Sequence, residues 1–290
     1  MFGRMNVVKI VVVGAIMAVL MGQTLADGHL LRLGVSEVID HSHIVDESIP
    51  TLGGPLADDN VQFTVVAEPP ATPYTSRRLD NLLEQYGTHV SAPFHYGGSG
   101  RDRLDDIAAG DLVGDLCVLD VRAQVLTNPD YEITVEDLQE WEATYGRIPD
   151  GAIVAMYSGW ATRWGSESAY RNADTDGVLH YPGWGVGAIA FLLDGRNILG
   201  VGVDTLSVDS GASADYDSEF RLMTANKYTV SNLNNLGDAP ARGGVVVIGA
   251  PNLRDGTGST ARVFTLVLSA APAVAVPSAI LLLAMLLLAF

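Results

Sequence analysis

The amino-acid sequence predicts an α/β or α+β protein built around a substantial buried sheet. Its 290 residues are 48% apolar, which is enough to bury one good-sized hydrophobic core. Between the two ends, short runs rich in Val and Ile alternate with Gly, Pro and Asp turns and with a few helical stretches. Such runs are typical of strands buried within a sheet. We therefore expect one folded domain over residues 27–268.

Six apolar runs are predicted to be strands, and two segments are predicted to be helices. The strands, in chain order, are Gln62–Ala67, Gly114–Val121, Ala152–Tyr157, Ile198–Val203, Gly244–Ile248 and Ala261–Leu268. The first helix is predicted over Thr134–Tyr145, because Thr134 and Asp137 have the spacing of a capping box. The second helix is predicted over Val186–Asp194, an apolar segment that ends before Gly195.

Both ends of the chain are predicted to be targeting segments. Arg4 and Lys9 precede an apolar run, and small residues follow up to Ala26, so residues 1–26 have the pattern of a secretory signal peptide. The run is shorter than the ~20 residues that a spanning helix needs, which disfavours an uncleaved anchor. Residues 269–290 carry no charge and end in an apolar run. We expect a membrane tail, a cleaved sorting signal or a GPI-type signal there, and a secreted or periplasmic protein, attached to the membrane if the tail is kept.

Composition excludes several classes of function. The chain has 17 basic and 34 acidic residues, a formal net charge of −17, so it offers no electrostatic surface for nucleic acid. Its one cysteine, Cys117, excludes an intramolecular disulfide and a cysteine-based zinc site. The sequence also lacks a Gly-x-Ser-x-Gly elbow and a glycine-rich phosphate loop, which argues against a serine hydrolase and a nucleotide-binding protein.

The densest polar stretch runs from Gln85 to His95. It holds two imidazoles, an amide and hydroxyl groups, punctuated by Gly and Pro. Read as extended chain, Gln85, His89, Ser91 and His95 share one parity and face one side. This pattern predicts a site for a metal or a polar substrate. The alternative is that His89 and His95 are hydrogen-bonded structural residues.

This stretch resembles the motif His/Gln-x-Gly-Thr-His-x-Asp-x-Pro-x-His of the cyclase family of metal-dependent hydrolases, which includes kynurenine formamidases and isatin hydrolases. Residues 40–43 (Asp-His-Ser-His) resemble the family's opening Asp-Leu-Ser-His segment, and residues 158–160, 180–183, 202–209 and 232–236 follow in the family's order. The resemblance implies a single swivelling β/β/α domain with a mostly buried mixed sheet, assembled as a homodimer or larger homo-oligomer.

The resemblance also implies the site residues. Carried onto this chain, the metal-binding positions are Gln85, His89, Ser91 and Glu219, with Ser231 as a fifth, and His95 is the proton shuttle. Only the two histidines match the strict pattern, because Gln and Glu replace two family histidines and the two serines replace an Asp and a Glu. Amide and hydroxyl oxygens are weak zinc ligands. We therefore expect one divalent cation, Mn²⁺ or Zn²⁺, with the oxygen-rich set favouring Mn²⁺ over Zn²⁺.

The function implied is an extracytoplasmic, arylformamidase-like hydrolase of a small amide or lactam, of the kind used in tryptophan catabolism. A metal-activated water would attack the carbonyl carbon, and His95 would move the proton. Tyr86, Phe94, Trp160 and His180 are the candidates to bind a small, aromatic amide substrate. Ordinary packing is the alternative for the three aromatic residues, and the alternative for His180 is a hydrogen-bonded loop residue. The alternative function is a catalytically degenerate family member that binds a small ligand or acts as an interaction module, and metal content would distinguish the two.

Overall fold

The computed structural model describes residues 34–51 and 61–269. Val38–Val267 form one compact unit, and the described residues 34–37 and 268–269 belong to a second. The predicted signal peptide and all but the first residue of the predicted C-terminal tail lie outside the described residues. Within the described ranges, no helix is long and apolar enough to cross a membrane.

A nine-stranded sheet organises the fold. Its strands, in spatial order, are β1 (Val35–Asp40), β13 (Arg262–Leu268), β11 (Arg242–Gly249), β5 (Val113–Asp120), β7 (Ala152–Tyr157), β9 (Gly200–Val203), β10 (Tyr228–Ser231), β4 (His89–Ser91) and β12 (Gly258–Thr260). The pairs β5–β7, β7–β9 and β9–β10 are parallel. The pairs β10–β4, β4–β12, β5–β11 and β11–β13 are antiparallel. The sheet is therefore mixed, as predicted.

Two small sheets and six α-helices complete the described structure. The small sheets pair β2 (Gln62–Ala67) with β3 (Ser76–Asp80), and β6 (Glu132–Ile133) with β8 (Gly183–Trp184). The helices are α1 (Phe94–Gly97), α2 (Arg122–Val125), α3 (Val135–Tyr145), α4 (Glu167–Arg171), α5 (Val186–Gly195) and α6 (Asp217–Thr224). Single 3₁₀ turns lie at Leu104–Asp106, Ala109–Leu112, Trp160–Arg163 and Leu236–Asp238.

The sheet is covered on both faces by apolar side chains. Val154 and Met156 of β7 lie in one core with Ile189 of α5, whereas Ile153 and Ala155 of the same strand lie in the other core. Alternate residues of a strand face opposite sides, so a strand between two cores must be apolar at every position. The run Ala-Ile-Val-Ala-Met-Tyr meets that requirement.

The six predicted strands and two predicted helices are present, with boundaries within two residues. The capping box that begins α3 is also present: the Thr134 hydroxyl accepts a hydrogen bond from the Asp137 N–H, and the Asp137 carboxylate accepts one from the Thr134 N–H. The extended reading of residues 85–95 was wrong. Gln85 lies in a turn, only His89–Ser91 form a strand, and His95 lies in α1.

Candidate active site

The candidate site lies near one edge of the sheet, where the short strands β10, β4 and β12 pair. In the antiparallel pairs, His89 of β4 lies opposite Ser231 of β10, and Ser91 lies opposite Thr229. Directly opposed residues of an antiparallel pair project to the same face. That face opens onto a cavity of about 220 Å³, whose lining includes Gln85, His89, Ser91, His95, Glu219 and Ser231. The structure thus brings all the predicted metal-binding positions and the predicted proton shuttle together.

His89 is held as a neutral imidazole with a free lone pair. Its Nδ1 lies 2.8 Å from the Gly87 carbonyl oxygen. A carbonyl only accepts, so Nδ1 carries the proton and Nε2 carries the lone pair. Burial lowers the pKa of His89 to about 4, which keeps the ring neutral at pH 7. Nε2 receives no hydrogen bond from the described residues and is available as a metal ligand or proton acceptor.

Asn232 holds the turn that orients His89. Its Nδ2 donates to the Gly87 carbonyl oxygen at 2.8 Å, and its own carbonyl accepts from the Thr88 hydroxyl at 2.6 Å. The Tyr170 hydroxyl donates to Asn232 Oδ1 at 3.0 Å. Asn232 has a φ of 57° and Gly87 a φ of 66°, both in the left-handed region that Gly and Asn tolerate best. The sequence placed Asn232 in a segment that resembles the family, residues 232–236, but gave it no role in the site.

Glu219 is a buried carboxyl group without a cationic partner among the described residues. It is 6% exposed. The Thr229 hydroxyl donates to Oε1 at 3.1 Å, and the Ser207 hydroxyl donates to Oε2 at 3.3 Å. Burial, and then the nearby Asp209 carboxylate, raise the pKa of Glu219 to about 7. Asp209 itself accepts from the N–H groups of Ser218 and Glu219 and so fixes the start of α6.

Gln85 and His95 are linked to Glu84 through Thr257. The Thr257 hydroxyl and N–H donate to Glu84 Oε2 at 2.5 and 2.8 Å, and the same hydroxyl accepts from Gln85 Nε2 at 2.9 Å. Gln85 Nε2 also lies 3.5 Å from His95 Nδ1. These contacts hold the Gln85 amide nitrogen beside Thr257 and His95. The Gln85 carbonyl oxygen accepts no hydrogen bond from the described residues. Burial lowers the pKa of His95, and the Glu84 carboxylate opposes that effect.

The donors that line the cavity are of the kinds that bind one cation with a preference for oxygen ligands. Three groups are good ligands: His89 Nε2, the Glu219 carboxylate and the Gln85 carbonyl oxygen. The hydroxyls of Ser91 and Ser231 are weaker ones. Within residues 34–51 and 61–269, no three His, Cys, Asp or Glu side chains are grouped so as to hold a metal ion by themselves. A second metal ion does not fit this set.

Tyrosine side chains form part of the cavity wall. Tyr86, a predicted substrate-binding residue, lines it together with Tyr96 and Tyr216. The rings of Tyr96 and Tyr216 lie 5.8 Å apart. Tyr216 precedes α6 with a φ of 52°, a strained conformation for a residue with a bulky side chain. Nothing in the sequence alone marks Tyr216 as part of the site.

Three predicted substrate-binding residues lie outside this cavity. The Phe94 ring packs against the guanidinium of Arg103 at 4.5 Å. Trp160 is only 1% exposed and belongs to the core that contains Val154 and Met156 of β7. His180 lies at the surface, where its Nδ1 is 2.8 Å from an Asp130 carboxylate oxygen that raises the pKa of the ring. We therefore leave these three out of the substrate site.

Comparisons with known proteins show which proteins this chain resembles. An isatin hydrolase from Roseibium aggregatum is 29% identical over 253 residues, which cover 83% of this chain and 95% of that protein. The crystal structure of an isatin hydrolase bound to the product analogue thioisatinate superimposes with a TM-score of 0.77 at 28% identity, covering 87% of this chain and 98% of that one.

Two further structures extend the comparison. Isatin hydrolase A from Ralstonia solanacearum has a TM-score of 0.74 and 32% identity, covering 82% of this chain and 94% of that one. A structure described as a potential metal-dependent hydrolase with cyclase activity shares the fold, with a TM-score of 0.60 at 21% identity over 80% of this chain and 98% of that one. The α/β fold with a mixed sheet is thereby confirmed. Residues 39–210 match the family model described as "Putative cyclase", and the chain belongs to the cyclase family.

Proposed function

We propose that this protein is a hydrolase that uses water to cleave the C–N bond of a small amide or lactam. The observation that carries the proposal is the convergence of His89, His95 and Glu219 on one cavity of about 220 Å³. An open imidazole lone pair, a second imidazole and a carboxyl group are the groups that amide hydrolysis needs. The isatin hydrolases that resemble this chain support a substrate of that class.

The substrate we propose is a flat aromatic lactam or aryl formamide. A cavity of about 220 Å³ admits a small molecule and excludes a protein chain. The rings of Tyr96 and Tyr216 offer flat apolar surfaces against which an aryl group can pack, whereas Tyr86 is 2% exposed and packs with Ile49 and Val61. Of the two subclasses, the lactam is favoured by the identity with isatin hydrolases, and the aryl formamide is the alternative.

We further propose that one divalent cation takes part, held by His89 Nε2, the Glu219 carboxylate and the Gln85 carbonyl oxygen. Mn²⁺ suits this oxygen-rich set better than Zn²⁺. When bound, such a cation would polarise the amide carbonyl and lower the pKa of water. The likeness to a structure described as a metal-dependent hydrolase is consistent with this proposal.

The protein's own groups orient the substrate and move protons. His95 lies at the rim of the cavity and is neutral at pH 7, because burial lowers its pKa. It can take a proton from water and return it to the leaving nitrogen. The hydrogen-bonded chain from Glu84 through Thr257 to Gln85 holds the amide beside His95. Asn232 keeps the His89 ring turned toward the cavity.

A binding role without catalysis is the second candidate. The observation that favours it is the presence of Ser91 and Ser231 where the family pattern has carboxylates, so that two hydroxyls replace two charges in the cavity wall. A polar, neutral wall binds an uncharged small molecule through hydrogen bonds without activating water. This alternative requires neither a metal nor turnover.

The cellular location and assembly are also proposals. The signal-like residues 1–26 support secretion or a periplasmic location, and the apolar residues 269–290 support membrane association. Sequencing the N-terminus of the mature protein would test the first, since we expect residue 27 to be the first residue. Light scattering would test the homo-oligomer that the family resemblance implies.

The function is tested by an assay of the purified protein with isatin and with N-formylkynurenine, in chelator and after loading with Mn²⁺ or Zn²⁺. We expect ring opening of isatin in the Mn²⁺-loaded protein and its loss in chelator. Turnover of N-formylkynurenine alone would move the substrate to the aryl formamides. Absence of turnover of both substrates in both loaded forms would contradict the hydrolase and favour the binding role.

A further inference from the structure

A second cavity lies apart from the candidate active site. Its volume is about 910 Å³, and it shares no lining residue with the first cavity. It lies beyond the carboxyl ends of the adjacent parallel strands β5 and β7, where Arg122 and Gly159–Arg163 follow the strands. In α/β sheets, small-molecule ligands bind outside the carboxyl ends of parallel strands. The position alone does not identify a ligand, but the charges in the cavity do.

Arg163 contributes a positive charge that nothing in the described structure neutralises. Its guanidinium lies 3.7 Å from the centroid of the buried Trp160 ring and makes no ion pair or hydrogen bond with a described residue. Burial lowers its pKa. The other half-buried arginines of the described residues, Arg103, Arg171 and Arg196, are all paired with a carboxylate. Among the half-buried arginines of residues 34–51 and 61–269, Arg163 alone makes no ion pair.

The neighbouring Arg122 is compensated. Its Nε and Nη2 donate to the two Asp120 carboxylate oxygens at 2.9 and 2.7 Å. Its guanidinium lies 4.6 Å from the centroid of the Tyr157 ring. Asp120, Arg122 and Arg163 together leave this part of the wall with one net positive charge. A monoanion balances that charge, whereas a dianion would face the Asp120 carboxylate.

The rest of the wall is mixed, with polar groups from Ser158, Thr162 and Asn172 and an apolar side. Val125, Leu126 and Pro129 line the cavity, and Leu126 is 87% exposed, so an apolar surface is open beside the charge. A guanidinium presents parallel N–H groups that match the two oxygens of a carboxylate. Stacking on Trp160 limits the orientations of the Arg163 guanidinium before a ligand arrives, which reduces the entropy lost on binding.

We propose that this cavity binds a small monocarboxylate with an apolar body. Arg163 pairs with the carboxylate, and Leu126 and Tyr157 contact the apolar part. The site does not depend on catalysis in the first cavity, because the two cavities have no lining residue in common.

Titration calorimetry of the full chain with benzoate and with benzamide tests the proposal, because the two probes differ in charge and hardly in shape. We expect benzoate to bind and benzamide to bind at least tenfold more weakly. Arg163→Gln should weaken benzoate binding at least tenfold, whereas Arg163→Lys, which keeps the charge, should weaken it less. Arg254→Gln is the matched control, since Arg254 is exposed and has no described ion pair.

One further variant separates this cavity from the first. His89→Ala alters the candidate active site and should leave benzoate binding unchanged. Loss of benzoate binding in His89→Ala with retention in Arg163→Gln would place the carboxylate in the first cavity and overturn the proposal. Equal affinity for benzamide, or no benzoate binding by the wild-type protein, would overturn it as well.

Discussion

Residues 116–119 of β5 and most of β7 are buried like the strands that carry the candidate site, but they are composed differently. β5 and β7 place apolar side chains such as Leu116 and Met156 in cores on both faces. β4 and β10 place an imidazole and three hydroxyls on one face, although every residue of both strands is buried. Burying polar groups costs free energy unless each finds a partner. Packing therefore explains the residues of β5 and β7, whereas chemistry explains those of β4 and β10.

The largest effect should come from the apolar strands and should concern stability. Leu116→Ala removes a side chain that is 2% exposed and leaves a cavity in the core. We expect the free energy of unfolding to fall by about 2–5 kcal/mol. Leu126→Ala, at a residue that is 87% exposed, should change it by less than about 0.5 kcal/mol. Denaturant unfolding of the two variants makes the comparison, and equal losses would show that β5 does not carry the core.

The next effect concerns Glu219 in the metal-free protein. Its folded-state pKa of about 7 lies above the ordinary 4.5, so the folded state binds the proton more tightly than the unfolded state. This contribution to stability is fully present below pH 4.5 and is lost as the pH rises to about 7, at a cost of roughly 3 kcal/mol. Glu219→Gln should remove this part of the pH dependence.

Denaturant unfolding of wild type and Glu219→Gln in chelator, at pH 5 and at pH 8, measures that difference. The free energy of unfolding of the variant, relative to that of the wild type, should be higher at pH 8 than at pH 5. The same change in stability between the two pH values in both proteins would mean that the Glu219 carboxylate is already compensated.

The next effect concerns His95 at the rim of the cavity, and we expect it to lower activity without lowering stability. His95→Ala should lower kcat on the accepted substrate by about a hundredfold, because general acid and base help is lost. KM and the unfolding midpoint should change little. His180→Ala is the control, since His180 lies outside the cavity. A loss of stability that parallels the loss of activity would make His95 a structural residue.

The smallest effect should come from a substitution that restores a charge to β4. Ser91→Asp introduces the carboxylate that the family pattern has at this position, and we expect Mn²⁺ to bind about tenfold more tightly, a gain of about 1.4 kcal/mol. Ser91→Ala should bind Mn²⁺ as the wild type does. Unchanged affinity in Ser91→Asp would show that residue 91 does not face the cation.

The same difference in composition explains what the sequence could predict. β7 was predicted with its correct ends, because a strand buried on both faces is apolar throughout. β4 and β10 have three and four residues and mixed polarity, so periodicity missed them. The family motif nevertheless led to His89, because a motif keeps its spacing even where the strand is too short to recognise. Gln85 and His95 reach the same cavity from a turn and a helix, not from the extended chain that parity suggested.

Other site residues could not be predicted, for a physical reason. Asn232 acts through hydrogen bonds to Gly87, 145 residues away in the chain. Tyr216 enters the cavity through a left-handed backbone conformation that its residue type does not favour. Conversely, Trp160 and His180 lie in segments that resemble the family, yet core packing and surface ion pairs account for their contacts.

The most direct test of the central claim is the binding of Mn²⁺ to metal-free wild type, His89→Ala and His180→Ala, measured by titration calorimetry. If the cavity holds a catalytic cation, the wild type and His180→Ala will bind one Mn²⁺ per chain, and His89→Ala will bind it at least tenfold more weakly. No binding by the wild type, or equal binding by His89→Ala, would contradict the claim.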